Sequence, residues 1–264
     1  MKCREIIVRS GACGQWAAIL ATPAESVRPA VVGNYVGWTE TAEQLVCRRE
    51  LPVLCVPVVL GFRAPFQISG MALSSFVAGA HNHHTIVQSI GTVECLQVNL
   101  TPDAAYRLLR RPMDDLVDST VAFEDLLGTD GARLLEQLGN EESWQRRFDI
   151  LEHFLEHHLS GTRGLSAEVR RSLDILTATG GGASMRELTL ETGLSHKRLI
   201  GKFRHEIGVP PKTTARTLRF RRSLEQLSEL APQLSRIALE AGYYDQAHFN
   251  RDFKSFSGVS PTEY

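Results

Sequence analysis

The last hundred residues contain one segment written twice, and that repeat limits the folds open to this chain more than any other feature. Leu188-Thr189-Leu190-Glu191-Thr192-Gly193 returns 49 residues later as Ile237-Ala238-Leu239-Glu240-Ala241-Gly242. Past the turn the offset becomes 50, so the second copy carries one extra turn residue. Leu199 then matches Phe249, Phe203 matches Phe253, Gly208 matches Gly258, Val209 matches Val259 and Pro211 matches Pro261. Each copy reads as helix, tight turn, helix and then Gly-Val-x-Pro, a helix-turn-helix outline. Gly193 and Gly242 suit a left-handed exit from the first helix. Ser184 with Glu187 makes a capping box, and Ser195 and Asp245 cap the second helices.

The pairs Leu199/Phe203 and Phe249/Phe253 are spaced to face a core. The opposite face of the first candidate recognition helix carries His196, Lys197, Ile200, Gly201 and Arg204. The equivalent face of the second carries Gln246, Ala247, Asn250, Arg251 and Lys254. Arg and Lys can reach guanine edges and Gln and Asn can pair with adenine, so both faces suit the major groove of duplex DNA. Gln246 and Arg251 are the expected base readers. Between the copies, 212–230 reads as one helix of ~19 residues and ~28 Å, bearing Arg216, Arg219, Arg221 and Arg222. Arg219 and Arg222 are expected to meet phosphates. A rod of that length could set two recognition helices into successive grooves, ~34 Å apart.

Net charge, −1 overall, hides a division. Up to Gly164 there are 14 Lys and Arg against 19 Asp and Glu; from Leu165 on there are 15 against 11. An acidic front joined to a basic tail points to two domains with different partners. Ser160-Gly161-Thr162-Arg163-Gly164 reads as the linker. No apolar run reaches the ~18 residues of a spanning helix, so no membrane role is expected. Met1 to Glu5 lacks a signal core. The five cysteines (Cys3, Cys13, Cys47, Cys55, Cys95) are odd in number and scattered, which suggests reduced thiols and a cytoplasmic protein.

The front reads as short strands: Val53 to Val56, Val58 to Leu60, Met71 to Val77, Thr85 to Ile90 and Val93 to Leu100, punctuated by Gly61, Gly70, Gly79 and Gly91. That spacing fits an antiparallel sandwich or barrel. Helices are expected over Asp103 to Leu109 behind the Thr101 cap, over Gly131 to Leu138 and over Ser143 to Leu159. The last bears an apolar stripe, Trp144, Phe148, Leu151, Leu155 and Leu159. It could pack on the strands or on a second copy of the chain. The expected fold is therefore an α+β two-domain chain, β-rich with helices over 1–160 and all-α with two helix-turn-helix motifs over 165–264.

The tail resembles the DNA-binding domain of the AraC/XylS family of bacterial transcription regulators. The match runs from Ile237 through Gly242-Tyr243-Tyr244-Asp245-Gln246-Ala247-His248-Phe249-Asn250-Arg251-Asp252-Phe253-Lys254 to Gly258-Val259-Ser260-Pro261, and Gly193 to Phe203 is similar. The resemblance implies sequence-specific binding to double-stranded operator DNA and control of transcription, with RNA polymerase as a further partner. It implies a front domain of cupin-like kind that binds a small-molecule effector or another subunit, a homodimer included. The sequence departs from the family where Gly201 stands for a basic residue, Lys202 for an apolar one and Ser223 for alanine.

His81-x-His83 has the first spacing of a cupin metal site, which makes a metal-dependent enzyme or sensor fused to the DNA-binding tail the alternative. The carboxylate and third histidine that such a site needs do not follow, since Gln88 is a poor ligand and Glu94 lies too far on. No cofactor, resident metal or catalytic residue is therefore expected. Cys47 and Cys55, flanking an expected strand start, are read as inert core thiols rather than a sensor.

Overall fold

The computed structural model describes residues 3–11, 14–228 and 233–264, with side chains from Gln15 on. Met1, Lys2, Cys13, Leu230 and Pro232 of the expectations above lie outside the described residues, as do the side chains of Cys3, Arg4 and Glu5.

The front part is one antiparallel sheet. Its strands are β1 (Cys3–Gly11), β2 (Gly14–Ala21), β3 (Tyr35–Glu50), β4 (Val56–Gly61), β5 (Phe66–Ile68), β6 (Met71–Leu73), β7 (Phe76–Ala78), β8 (Thr85–Leu100) and β9 (Thr120–Ala122). They lie in the order β1-β2-β3-β8-β4-β7-β9, with β5 pairing β8 and β6. Among the described residues the end strands do not pair with each other, so the sheet curls without closing. Gly91, expected to separate two strands, instead lets β8 run through. At φ +79° it sits opposite Ala42, where the β3 register shifts before Val46, and the ladder bends there. Val53 to Cys55, expected as strand, form the loop into β4.

Alternation along the strands splits the sheet's two faces. Leu96, Val98 and Leu100 of β8 and Val58 and Leu60 of β4 belong to a core shared with helices α1 (Pro102–Leu109), α2 (Phe123–Gly139) and α3 (Trp144–Leu159). Val93, Cys95, Val59, Phe66, Ile68, Phe76 and Val87 fill the other face. The Thr101 hydroxyl caps α1 by accepting from the Ala104 amide at 3.3 Å. α2 starts eight residues before the expected Gly131, because the chain kinks at Gly128 (φ 56°, ψ −135°) and the periodicity breaks there. The α3 stripe is settled by packing. Phe148, Leu151, Leu155 and Leu159 are at most 5% exposed, inside the core under the sheet. Each such side chain contributes roughly 1.5–3 kcal/mol on burial, so this stripe is not left over for a second copy.

The tail is all helix: α4 (Ala167–Ala178), α5 (Met185–Thr192), α6 (His196–Ile207), α7 (Pro211–Leu227), α8 (Leu234–Glu240) and α9 (Gln246–Ser257). It holds two small cores. One gathers Val169, Leu176, Leu188, Leu199, Phe203 and Ile207. The other gathers Phe220, Ile237, Tyr243, Phe249, Phe253 and Phe256. α7 belongs to both, giving Ala215 to the first and Phe220 to the second. Its 17 residues span about 25 Å at 1.5 Å each.

Candidate nucleic-acid interface

The two recognition helices are built alike. Ser184 and Glu187 form the capping box of α5, which ends at Gly193 with φ +68°. The Ser195 hydroxyl then accepts from the Arg198 amide at 3.4 Å to start α6, and the Asp245 carboxylate accepts from the His248 amide at 2.6 Å to start α9. Four-residue spacing turns Leu199/Phe203 and Phe249/Phe253 inward, all fully buried. The opposite faces are left to solvent. His196, Lys197 and Arg204 on α6 are exposed, with Ile200 half-buried beside them. Gln246, Ala247, Arg251 and Lys254 on α9 are exposed. Asn250 is half-buried, and its Oδ1 lies inside without a hydrogen-bond partner.

The arginines of the rod divide. Arg222 is exposed. Arg219, expected to meet a phosphate, is half-buried and turned toward the protein. Its Nη1 donates to the Gly181 carbonyl at 2.8 Å and its guanidinium lies 5.6 Å from the Tyr243 ring centroid. Gly181 is in the turn before α5 and Tyr243 in the turn before α9, so Arg219 ties one helix-turn-helix unit to the other. Arg216 is likewise committed, with Nε and Nη2 on the Asp252 carboxylate at 2.9–3.2 Å and its cation 4.9 Å from the Phe256 ring centroid.

The sequence departures find local explanations. Lys202 reaches Glu168 at 3.3 Å across the first unit. The fully buried Ser223 donates to the Phe220 carbonyl at 2.7 Å, which satisfies the extra hydroxyl. Gly201 is exposed, and a Cβ built there meets nothing within 4 Å. Gly201→Ala should therefore stabilise the chain by about 1 kcal/mol through helix propensity alone, read as a rise in the midpoint of urea unfolding. No gain would mean that α6 is held by something other than its own helical bias.

Sequence reasoning missed two features. Tyr244, 91% exposed, stands at the entrance to α9, in the turn that the offset of 50 lengthens. That extra turn residue was the available signal. Leu190 and Leu239, equivalent in the repeat, are both 73% exposed.

The front domain grips both units at equivalent places. Gly208, at the C-terminus of α6, has φ +99° and lies against the Met113 carbonyl and Val117. Gly258, at the C-terminus of α9, has φ +81° and lies against the His84 ring. A side chain at either position would push these surfaces apart. Tyr106 of α1 also meets His205 edge to face at 5.8 Å, and Arg170 pairs with Asp103 at 2.6 Å. Both helix C-termini are thus docked, and both N-terminal turns are free.

His81 and His83 sit in the loop between β7 and β8. His81 Nδ1 donates to the Gly79 carbonyl at 2.7 Å, and His83 Nε2 is 3.7 Å from Asp118. No cluster of three or more His, Cys, Asp or Glu able to hold a metal occurs among the described residues. Cys47, expected in the core, is exposed instead, because it stands on the outward side of β3 past the bulge; burial pushes the Cys55 thiol above its ordinary range and Cys95 further, so neither of these two is poised as a thiolate. No helix among the described residues is long and apolar enough to cross a membrane.

Comparison with known proteins agrees with the geometry. Residues 188–264 match a family described as a helix-turn-helix domain, and residues 21–122 match a domain of unknown function, DUF6597. The invasion protein InvF of Salmonella typhi and of Salmonella typhimurium is 23% identical over 208 residues, which cover 71% of this chain and 94% of the relative. Similar solved structures include ToxT from Vibrio cholerae, 12% identical over 87% of this chain and 96% of that one with a TM-score of 0.47. The C-terminal domain of AraT from Geobacillus stearothermophilus is 24% identical over 38% of this chain and 84% of that one, with a TM-score of 0.36. Residues 188–264 of this chain are a helix-turn-helix domain, similar in sequence to that of the AraC/XylS family, and the chain is a DNA-binding transcription regulator.

Proposed function

We propose that α6 and α9 enter two major grooves on one side of a duplex, each by its free N-terminal turn. The observation that carries this reading is that the two units are built and attached alike: two capped, outward-facing helix starts on units joined by α7, with both helix ends held by the front domain. His196, Lys197, Ile200 and Arg204 read one site. Gln246, Ala247, Asn250, Arg251 and Lys254 read the other, with Gln246 and Arg251 contributing most. Arg222 neutralises a phosphate and Arg219 sets the angle between the units. The boundary falls in 160–165. The front part is the controlling domain, without catalytic activity, and acts by how it holds Gly208 and Gly258.

Salt separates the two arginines. Log K for DNA falls against log salt with a slope of about −0.9 for each phosphate neutralised. Arg222→Ala should reduce that slope by about one and weaken all sequences alike. Arg219→Ala should leave the slope unchanged and lower stability by about 1.5–3 kcal/mol, the range for a hydrogen bond from a charged group. Electrophoretic mobility shifts across a salt series, with thermal unfolding beside them, check both. An unchanged slope for Arg222→Ala together with a reduced one for Arg219→Ala would reverse the assignment.

A further inference from the structure

Inside the curl of the sheet lies a cavity of about 300 Å³, at the small end of the roughly 300–1,000 Å³ typical of small-molecule sites. Its deep wall is apolar and aromatic, formed by Trp38, Val59, Phe66, Ile68, Phe76 and Val87. Polar groups there are few: the Gln97 and Asn99 amides, which meet each other at 3.1 Å, the Thr85 and Thr120 hydroxyls, and the His81 ring, whose Nδ1 is taken up by the Gly79 carbonyl. Arg48 also lines the cavity, but its charge is spent. The guanidinium pairs with Glu40, donates to Ser89 at 3.1 Å and lies 5.2 Å from the Trp38 ring centroid. Ser89 in turn donates to Glu40 at 3.1 Å. Glu50, exposed at the rim, adds negative charge. A carboxylate or phosphate entering here would lose its water and find the Arg48 guanidinium already paired with Glu40, which is a large cost.

Two segments of the cavity wall are also the segments that touch the tail. Leu51, Pro52, Val53 and Cys55 line one side, and Leu51 packs against the core of the second helix-turn-helix unit. Ala78, Gly79, His81 and Thr85 line another, and between them Ala80 packs against the first unit's core while His84 lies against Gly258. We propose that the cavity takes an uncharged, mostly apolar small molecule bearing a hydrogen-bonding group, and that occupancy reaches the second unit through Leu51. The inference deepens the reading of the front part as the controlling domain and rests on it.

The test uses the full chain and a matched pair of probes, naphthalene-1-methanol and 1-naphthoate, in titration calorimetry. The alcohol should bind with one-to-one stoichiometry, and the carboxylate about tenfold more weakly or worse. Val59→Phe, which fills the cavity, should abolish the heat. Gln97→Leu should weaken the alcohol while leaving the unfolding temperature in place, which keeps the test decisive if Val59→Phe misfolds. Hydrogen exchange reports the coupling without DNA: with each protein saturated by the alcohol, as titration calorimetry shows for each, exchange across α9 should change in the wild type and not in Leu51→Ala. Equal binding of the carboxylate, no binding of the alcohol, or an α9 response that survives Leu51→Ala would overturn the proposal. A protein that binds the alcohol as expected but no duplex would contradict the DNA reading instead.

Discussion

Phe253→Ala should remove about 3–5 kcal/mol of stability, the range for truncating a buried aromatic, and should leave the second helix-turn-helix unit unable to read DNA. Phe253 is fully buried, with ring centroids of Phe220 at 5.3 Å, Phe249 at 5.6 Å and Tyr264 at 5.4 Å. It therefore joins α7, α9 and the C-terminal residue. Removing the ring opens a void where all three meet, and a core this small has few other side chains to close it. The first unit's core, around Leu199 and Phe203, is separate. Hydrogen exchange should show protection lost in α8 and α9 and kept in α4 to α6. Binding-site selection should keep the preference at one half of the site and lose it at the other. Uniform loss across the tail would show that the two cores unfold as one.

Arg147→Ala should cost about 3 kcal/mol in the front domain, at the low end of the figure for breaking a buried ion pair. Arg147 is 5% exposed at the start of α3. Its Nε donates to the Leu138 carbonyl in the last turn of α2 at 3.2 Å and to the Glu141 carbonyl just past it at 2.7 Å. Its Nη1 pairs with Glu94 of β8, and the cation lies 4.2 Å from the Phe62 ring centroid and 4.8 Å from that of Trp144. One side chain thus ties α2, α3 and the sheet together. Arg63 stays on Glu94 at 2.7 Å, which moderates the loss. The pH dependence follows. Burial would raise the Glu94 carboxyl, but the hydrogen bonds and charges of Arg147 and Arg63 outweigh it and hold the group below its ordinary range. A carboxylate with a lowered folded value stabilises fully above its unfolded value and loses that contribution as pH falls through the folded one. Without Arg147 the acid limb of the stability curve should therefore begin at higher pH. Chemical denaturation from pH 3 to pH 7 checks this; parallel curves for wild type and Arg147→Ala would contradict it.

The tail was legible because each helix-turn-helix unit is local. Its caps, its exit glycine and its four-residue core spacing all fall within about twenty residues, and the repeat shows each of them twice. Strand β3 was harder, since its burial alternation shifts by one between Gly37 and Glu40 and its register shifts again between Ala42 and Val46. β1 is paired by register with β2, and β2 with β3, pairing that short windows do not carry. Arg219 shows the same limit at the site. On the rod it reads as one more outward arginine, and only the approach of Gly181 and Tyr243, each more than twenty residues away in sequence, turns it inward. The docking of Gly208 on Met113 and of Gly258 on His84 joins residues still further apart. Positive φ at those glycines is implied by the helix ends, but the surface they meet is not.

In this reading one chain places two recognition helices in successive major grooves. Hydroxyl-radical footprinting of the full chain on a duplex obtained by binding-site selection tests it directly. Two protected patches are expected on one side of the helix, centred about 10–10.5 base pairs apart, with Gln246→Ala erasing sequence preference under one patch only. A single protected patch, or two that both survive Gln246→Ala with preference intact, would contradict it.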